Sequence, residues 1–360
     1  MLLTDPEIQF EITEEVNLMY NFQFAKADSQ FLLLKKRFPK HPMPYFMLGY
    51  SQFWRIQPNE EVKIYDDKFY AYMDTVITLA EKMYRKDNKN FEAVFFLTAA
   101  YAFKGRLLSD RENWAGAVLA GSGALKYLKI SREYNTLSPE FLFGEGLFNY
   151  FAEWIPENYK AFKPVMWFFP KGDKAQGIRL LKDACNNAFY TRTEAQHYFI
   201  KIMLFEEKKD VDALPVIKYL RTTYPDNPVF HRLYARILFN MGNYSDCEPV
   251  ALDILQKVAD KKTGYEAVSG RYASFFLGWI YHYKDKNNAK KYFQQSVDFS
   301  EKAGALKMNY YLYSLSALAK MAEEDKDKAK ALFYYEKIKN NAGRKNEMYK
   351  QAKKYMDAND

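Results

Sequence analysis

Residues 194–227 and 228–261 form two blocks of 34 that abut without a gap, and each places small or apolar residues at matching offsets. In the first block Ala213, Ile217, Leu220 and Pro225 follow an A-x3-F-x2-A-x4-P spacing. In the second, Cys247, Ala251 and Ile254 fall at the same offsets, after a turn Gly242-Asn243-Tyr244. A unit of this length is one helical hairpin, and it buries its apolar face only against a neighbour. The pattern therefore predicts a stack of hairpins.

The same reading extends along the chain. Residues 8–41 repeat the register with Ala27, Phe31, Leu34 and Pro39, and a proline past the second helix forces a turn. A first helix over 43–55 is separated by 57–66 from a partner near 67–86 that carries Val76, Ala80 and Met83. Another over 90–106 pairs with a helix from Trp114 to about Tyr134, in which Gly116, Ala117, Ala120, Gly121, Gly123 and Ala124 crowd together. Helical glycine costs roughly 1 kcal/mol against alanine, so the cluster implies close helix approach or a ligand lying against exposed backbone. Pro139 opens a helix over 140–154, after which 155–171 interrupts the period with three prolines and the run Met166-Trp167-Phe168-Phe169. That run is expected to plug the inside of the array, the other reading being an exposed docking patch. Gly172-Asp173 then reads as turn and N-cap of a helix over 174–187.

Past the two best repeats, hairpins are expected at 264–283 with 286–301 and at 303–321 with 325–340, anchored by Ala289/Phe293 and Ala329/Phe333. The small residues Ala213, Cys247, Ala289 and Ala329 lie 34, 42 and 40 residues apart, which implies longer helices or loops in the last units. The count comes to about eight hairpins, with a capping helix near 344–357.

Composition fits such an array. Hydrophobic residues make up 48% and charged residues 27% of 360, with only 15 Gly and 13 Pro, which leaves little room for long disordered segments. A solenoid grows by adding neighbours, so this length does not force a division, and 1–360 is expected to form one continuous array. The net charge of +8 is spread out, apart from a basic end with Lys337, Lys339, Arg344, Lys345, Lys350, Lys353 and Lys354. Glu347 and Asp357 interrupt it, so it reads as a solvated terminal helix. Cys185 and Cys247 sit inside second-helix patterns as small buried thiols. Met1 to Pro6 lacks the basic start and apolar stretch of a signal peptide, and no run of 18 apolar residues occurs. The default expectation is cytoplasmic, with an exported location open where a leader has been removed.

Read this way, the chain resembles tetratricopeptide-repeat proteins over nearly its whole length, with 8–41, 194–227 and 228–261 as the best-formed repeats. The stretch FGEGLFNYFAEWIP followed by FFPKGDKAQGIRLL also looks like bacterial tetratricopeptide proteins of the Bacteroidetes kind. More faintly, its G-L-F-N, proline, G-D and L-L order is similar to the eukaryotic tetratricopeptide-repeat-39 and inclusion-body-clearance proteins. The resemblance implies an all-α, right-handed superhelix whose first helices line a concave groove that binds extended or helical segments of a protein partner. Groove positions 2, 5, 9 and 12 are then Ala195, Tyr198, Ile202 and Phe205 in one repeat, and Val229, Arg232, Arg236 and Phe239 in the next. Tyr272, Phe275, Trp279 and His282 follow in the third. Arg232 and Arg236, one turn apart among aromatics, suit a carboxylate, or else pair with neighbouring acidic residues. The Lys-x3-Asn clamp of chaperone-tail binders is absent at Ile12 and Val16.

Enzyme chemistry finds little support. His41, His197, His231 and His282 form no H-E-x2-H, so neither a metal nor another cofactor is expected. Gly116-x4-Gly121 is followed by Ser122 rather than Lys-Ser/Thr, and no G-x-S-x-G is present. Glu145 and Glu153 on one helix would stand about 12 Å apart along its axis, too far for a glycosidase pair. The expected function is a non-enzymatic scaffold contacting its partner through Tyr198, Phe205, Arg232, Arg236, Phe239, Tyr272 and Trp279. The alternatives are an RNA- or anion-binding solenoid and, behind it, an all-helical enzyme.

Overall fold

The computed structural model describes residues 1–131 and 138–359. The chain divides into two compact units, 1–224 and 225–360. Both consist of α-helices packed pairwise as consecutive hairpins of tetratricopeptide type, eight hairpins among the described residues.

The N-terminal unit holds α1 (Pro6–Tyr20) with α2 (Phe24–Arg37), α3 (Pro42–Ile56) with α4 (Asp66–Lys86), and α5 (Phe91–Asp110) with α6 (Trp114–Ser131). Then α7 (Glu140–Asn158) pairs with α9 (Lys174–Asn187) across the short α8 (Lys163–Met166), and α10 (Arg192–Lys201) pairs with α11 (Asp210–Thr223). The first helices α1, α3, α5, α7 and α10 also touch in succession, as stacked hairpins require. The expected far end of α6 near Tyr134 lies outside the described residues.

Local chemistry explains where helices begin. Asp5 accepts hydrogen bonds from the Glu7 and Ile8 N–H groups with Pro6 at the first helical position, and Asp173 accepts from Gln176 N–H at 2.8 Å. Buried Trp54, Tyr20, Phe31, Phe53, Phe69 and Phe96 fill the spaces between hairpins. The loop joining α3 to α4 is held by Arg111, whose guanidinium donates to Asp66 at 2.6 and 2.9 Å and to the Val62 carbonyl at 2.8 Å.

Two departures from a regular helical reading occur here. The helix expected to stop at Trp154 runs on to Asn158 through Pro156. Proline in the last turn forgoes only the one N–H that would have bonded the Ala152 carbonyl. And α10 passes into a π-helical turn, Ile202–Glu206, in which Glu207 N–H donates to the Ile202 carbonyl at 2.9 Å.

The C-terminal unit pairs α12 (Pro228–Asn240) with α13 (Tyr244–Ala259), α14 (Ala267–Tyr281) with α15 (Lys286–Lys302), and α16 (Asn309–Glu324) with α17 (Lys328–Asn341). The last helix, α18 (Glu347–Asp357), packs on α17, where Tyr355 meets Tyr335. Cys247, Ala251, Ile254, Ala289 and Phe293 are buried at the expected repeat positions, as are Ala213, Ile217 and Leu220 in the N-terminal unit. Gly242 takes the left-handed backbone, φ +71°, that the turn into α13 requires.

The anchors of α17 need correcting. Ala329 is exposed and Phe333 is 51% exposed, whereas Ala331, Tyr335 and Ile338 are buried. Both sets share the small-x3-aromatic spacing, but the third position decides: Glu336 in the expected register, Ile338 in the observed one. Asp327 caps the helix at Lys330 N–H, fixing its start at Lys328 rather than near 325. The spacing between Ala289 and its counterpart is therefore 42 residues, equal to the one before it.

Candidate functional site

In the C-terminal unit, α12, α14 and α16 bring together an arginine and aromatic cluster. Phe239 stacks on Phe276, ring centroids 4.6 Å apart, and meets Trp279 edge-on at 6.2 Å. Phe275 lies flat on Tyr310 at 4.4 Å, and Tyr310 meets Tyr272 at 5.1 Å. Three guanidinium groups border these rings: Arg232 over Tyr272 at 5.8 Å, Arg236 over Tyr310 at 5.9 Å and Arg271 over Tyr272 at 5.2 Å.

The five predicted residues of this unit, Arg232, Arg236, Phe239, Tyr272 and Trp279, thus belong to one cluster, but in unequal states. Arg232 is buried and donates from Nη1 to Ser269 Oγ at 3.0 Å, so it is not the open half of a guanidinium pair. Arg236 and Tyr272 are half-buried, and Trp279 is exposed. Sequence reasoning missed Arg271, which is 7% exposed and whose Nε and Nη1 make no hydrogen bond. Burial first, and the neighbouring Arg236 charge as well, push its pKa down. Its signal was present in the sequence: Arg271 is the one charged residue within Ala267–Tyr281. A lone charge on an apolar, buried helix calls for a partner.

The N-terminal unit holds a second site, a partly open cavity of about 770 Å³. Phe46 of α3, Phe96 and Phe103 of α5, and Phe148 and Phe151 of α7 supply its aromatic walls. One wall is the small-residue helix α6, through Ala117, Gly121 and Ala124. Its glycines divide the two expected roles: a Cβ on Gly123 would meet the Tyr101 ring at 2.7 Å, whereas one on Gly121 would meet nothing within 4 Å. Gly123 permits close approach to α5, and Gly121 faces open space.

Polar groups gather where α10 and α5 meet the cavity. Glu194 is buried and accepts from the Tyr50 hydroxyl, which lies 2.5 Å from that of Tyr20. Burial and the Glu194 charge hold both phenols well above their ordinary pKa. Arg106 donates from Nε to Asp110 at 2.9 Å. Lys201, which also lines the cavity, makes no hydrogen bond or ion pair among the described residues; burial, and then the Arg106 charge, lower its pKa. The carboxylate of Glu140, which also lines the cavity, is satisfied by the N–H groups of Tyr190 at 3.1 Å and Thr191 at 2.8 Å, and by that of Phe189.

Tyr198 and Phe205, expected at groove positions, line this cavity, as does Ile202. The segment expected to plug the array behaves differently from its reading. Trp167 and Phe168 are 89% and 88% exposed and plug nothing. Phe162, Val165, Met166 and Phe169, spaced as one helical face, line the cavity, and Phe162 meets Trp114 of α6 at 5.6 Å. The aromatic run is therefore split between two faces. Its spacing over 162–169 carries that information, whereas its composition alone does not.

Cys185 and Cys247 are free and buried, and burial pushes both thiols up to about 12. Among the described residues no group of three or more His, Cys, Asp or Glu is placed to hold a metal ion, and no helix is long and apolar enough to cross a membrane.

No protein-family model matches the sequence, and no curated protein matches it. Among solved structures the chain is similar to yeast Tom70, at 12% identity and TM-score 0.42, covering 87% of this chain and 63% of that one. It is similar to the human IFIT1 dimer with PPP-AAAA at 17% identity and TM-score 0.48, covering 93% and 72%. The P58(IPK) TPR domain aligns at 13% identity and TM-score 0.26, covering 97% and 99%. The chain thus spans less than two thirds of the length of yeast Tom70.

Proposed function

We propose that the protein is a non-enzymatic interaction scaffold whose C-terminal unit binds a protein segment carrying a carboxylate. The observation that carries this reading is Arg271, a buried guanidinium with two nitrogens unbonded at the edge of an aromatic cluster. A carboxylate accepts charge-assisted hydrogen bonds from a guanidinium, and the rings of Tyr272, Tyr310 and Trp279 offer apolar contact at low entropic cost. The pairing first expected between Arg232 and Arg236 shifts to Arg271, because Arg232 is engaged with Ser269. The likeness to Bacteroidetes-type tetratricopeptide proteins, and the fainter one to the tetratricopeptide-repeat-39 and inclusion-body-clearance proteins, belong to the same proposal.

Selection of a random peptide display library on the intact chain tests it. Enriched peptides are expected to combine apolar residues with an acidic side chain or a free C-terminal carboxylate, and to lose binding to Arg271→Gln. Enrichment without a carboxylate would reject the reading. Three guanidinium groups among tyrosines also fit a nucleic-acid backbone with stacked bases. Binding of a single-stranded RNA oligomer that falls steeply with salt would favour that alternative.

A further inference from the structure

We infer that the cavity of the N-terminal unit is a binding site for a single-chain amphiphile with an anionic head, of the long-chain fatty carboxylate class. Its volume of about 770 Å³ lies within the range of sites that enclose a small organic ligand. The walls are aromatic and small aliphatic side chains from α3, α5, α6 and α7, together with Val165, Met166 and Phe169. Such a lining accepts an alkyl chain and offers it few polar partners.

Charge sets the head group. Lys201 lines the cavity, and its ammonium lies over the Tyr198 ring at 5.9 Å with no hydrogen bond or ion pair among the described residues. Of the carboxylates whose charge reaches it, Asp110 bonds Arg106 and Glu194 accepts from Tyr50, while Glu206, which also lines the cavity, makes no ion pair with it among the described residues. Glu60 stands 4.0 Å from Arg106. An ammonium lowered in pKa by burial and by the Arg106 charge gains most from an anion that enters beside it. Tyr198, Lys201, Ile202 and Phe205, at i, i+3, i+4 and i+7, share one helical face and all line this one space. Gly121 leaves open space along the α6 wall.

The probes are sodium oleate, oleyl alcohol and a series of shorter saturated carboxylates, with quenching of Trp114 and Trp154, both on the cavity wall, as the readout. The intact protein is expected to bind oleate saturably at one site and more tightly than the alcohol. Lys201→Met should weaken oleate about tenfold while leaving oleyl alcohol unchanged. Gly121→Phe, whose ring enters open space, should weaken both. For the wild-type chain, which needs no variant to fold, each methylene removed should weaken binding about fourfold. Absence of saturable binding up to about 100 μM, affinity independent of chain length, or equal loss of acid and alcohol in Lys201→Met would overturn the inference.

Discussion

The ring of Phe275 on α14 lies on that of Tyr310 on α16, centroids 4.4 Å apart and planes inclined by 21°. Two successive first helices are thereby joined through the ring, Tyr310, that Arg236 borders. Offset ring pairs contribute about 0.5–1.5 kcal/mol beyond their buried area. A double-mutant cycle with Phe275→Leu and Tyr310→Leu should return a coupling of that size in urea unfolding; additive losses would show that the rings merely share a boundary.

Ala251 is fully buried on α13. Ala251→Asp places an unpaired carboxylate there and is expected to destabilise the protein by roughly 3 kcal/mol or more. A melting curve that does not move would mean that the repeat register is wrong.

Much of the architecture was legible because hairpin stacking leaves a mark at each interface: one small residue, then apolar residues four and seven places on. Ala213 and Cys247 carry that mark in full, and Ala289 carries it with Phe293 but with Ser296 at the third position. In α17 it occurs twice, at 329/333 and 331/335, and only the contrast between Glu336 and Ile338 breaks the tie. The cavity was less legible. Gly121 and Gly123 look alike in sequence, and what distinguishes them is Tyr101, which approaches one and not the other. The π-helical turn Ile202–Glu206 likewise has no periodic signature, although Tyr198, Ile202 and Phe205 keep the common face that regular counting assigns. Arg271 is readable as a lone charge on an apolar helix, but it lies outside the groove positions of its repeat, Tyr272, Phe275, Trp279 and His282.

Trp167 and Phe168 contribute almost nothing to packing. Replacing both by serine should leave stability within about 0.5 kcal/mol of wild type, whereas Phe169→Ser, on the cavity side, should lower it measurably. Equal losses for the two variants would contradict the split of this segment between two faces.

Burial holds the imidazole of His197, packed 5.3 Å from Trp54, below its ordinary pKa of 6.5, with Glu194 opposing that shift. Below pH 6.5 the unfolded chain then binds the proton more readily than the folded one. Stability should fall as pH drops through 6.5 and stop falling from this source once the folded imidazole itself protonates. Chemical denaturation between pH 7.5 and 5 should show a shallower decline for His197→Gln; identical slopes would remove His197 from the account.

The most direct measurement of the scaffold reading is calorimetric titration of one selected peptide, in carboxylate and amidated forms, into the wild-type protein and Arg271→Gln. The carboxylate form should bind wild type more tightly, and lose about 2 kcal/mol or more in Arg271→Gln with no change in melting temperature. The amidated form should bind both proteins alike. Full affinity of the carboxylate peptide for Arg271→Gln would contradict the account.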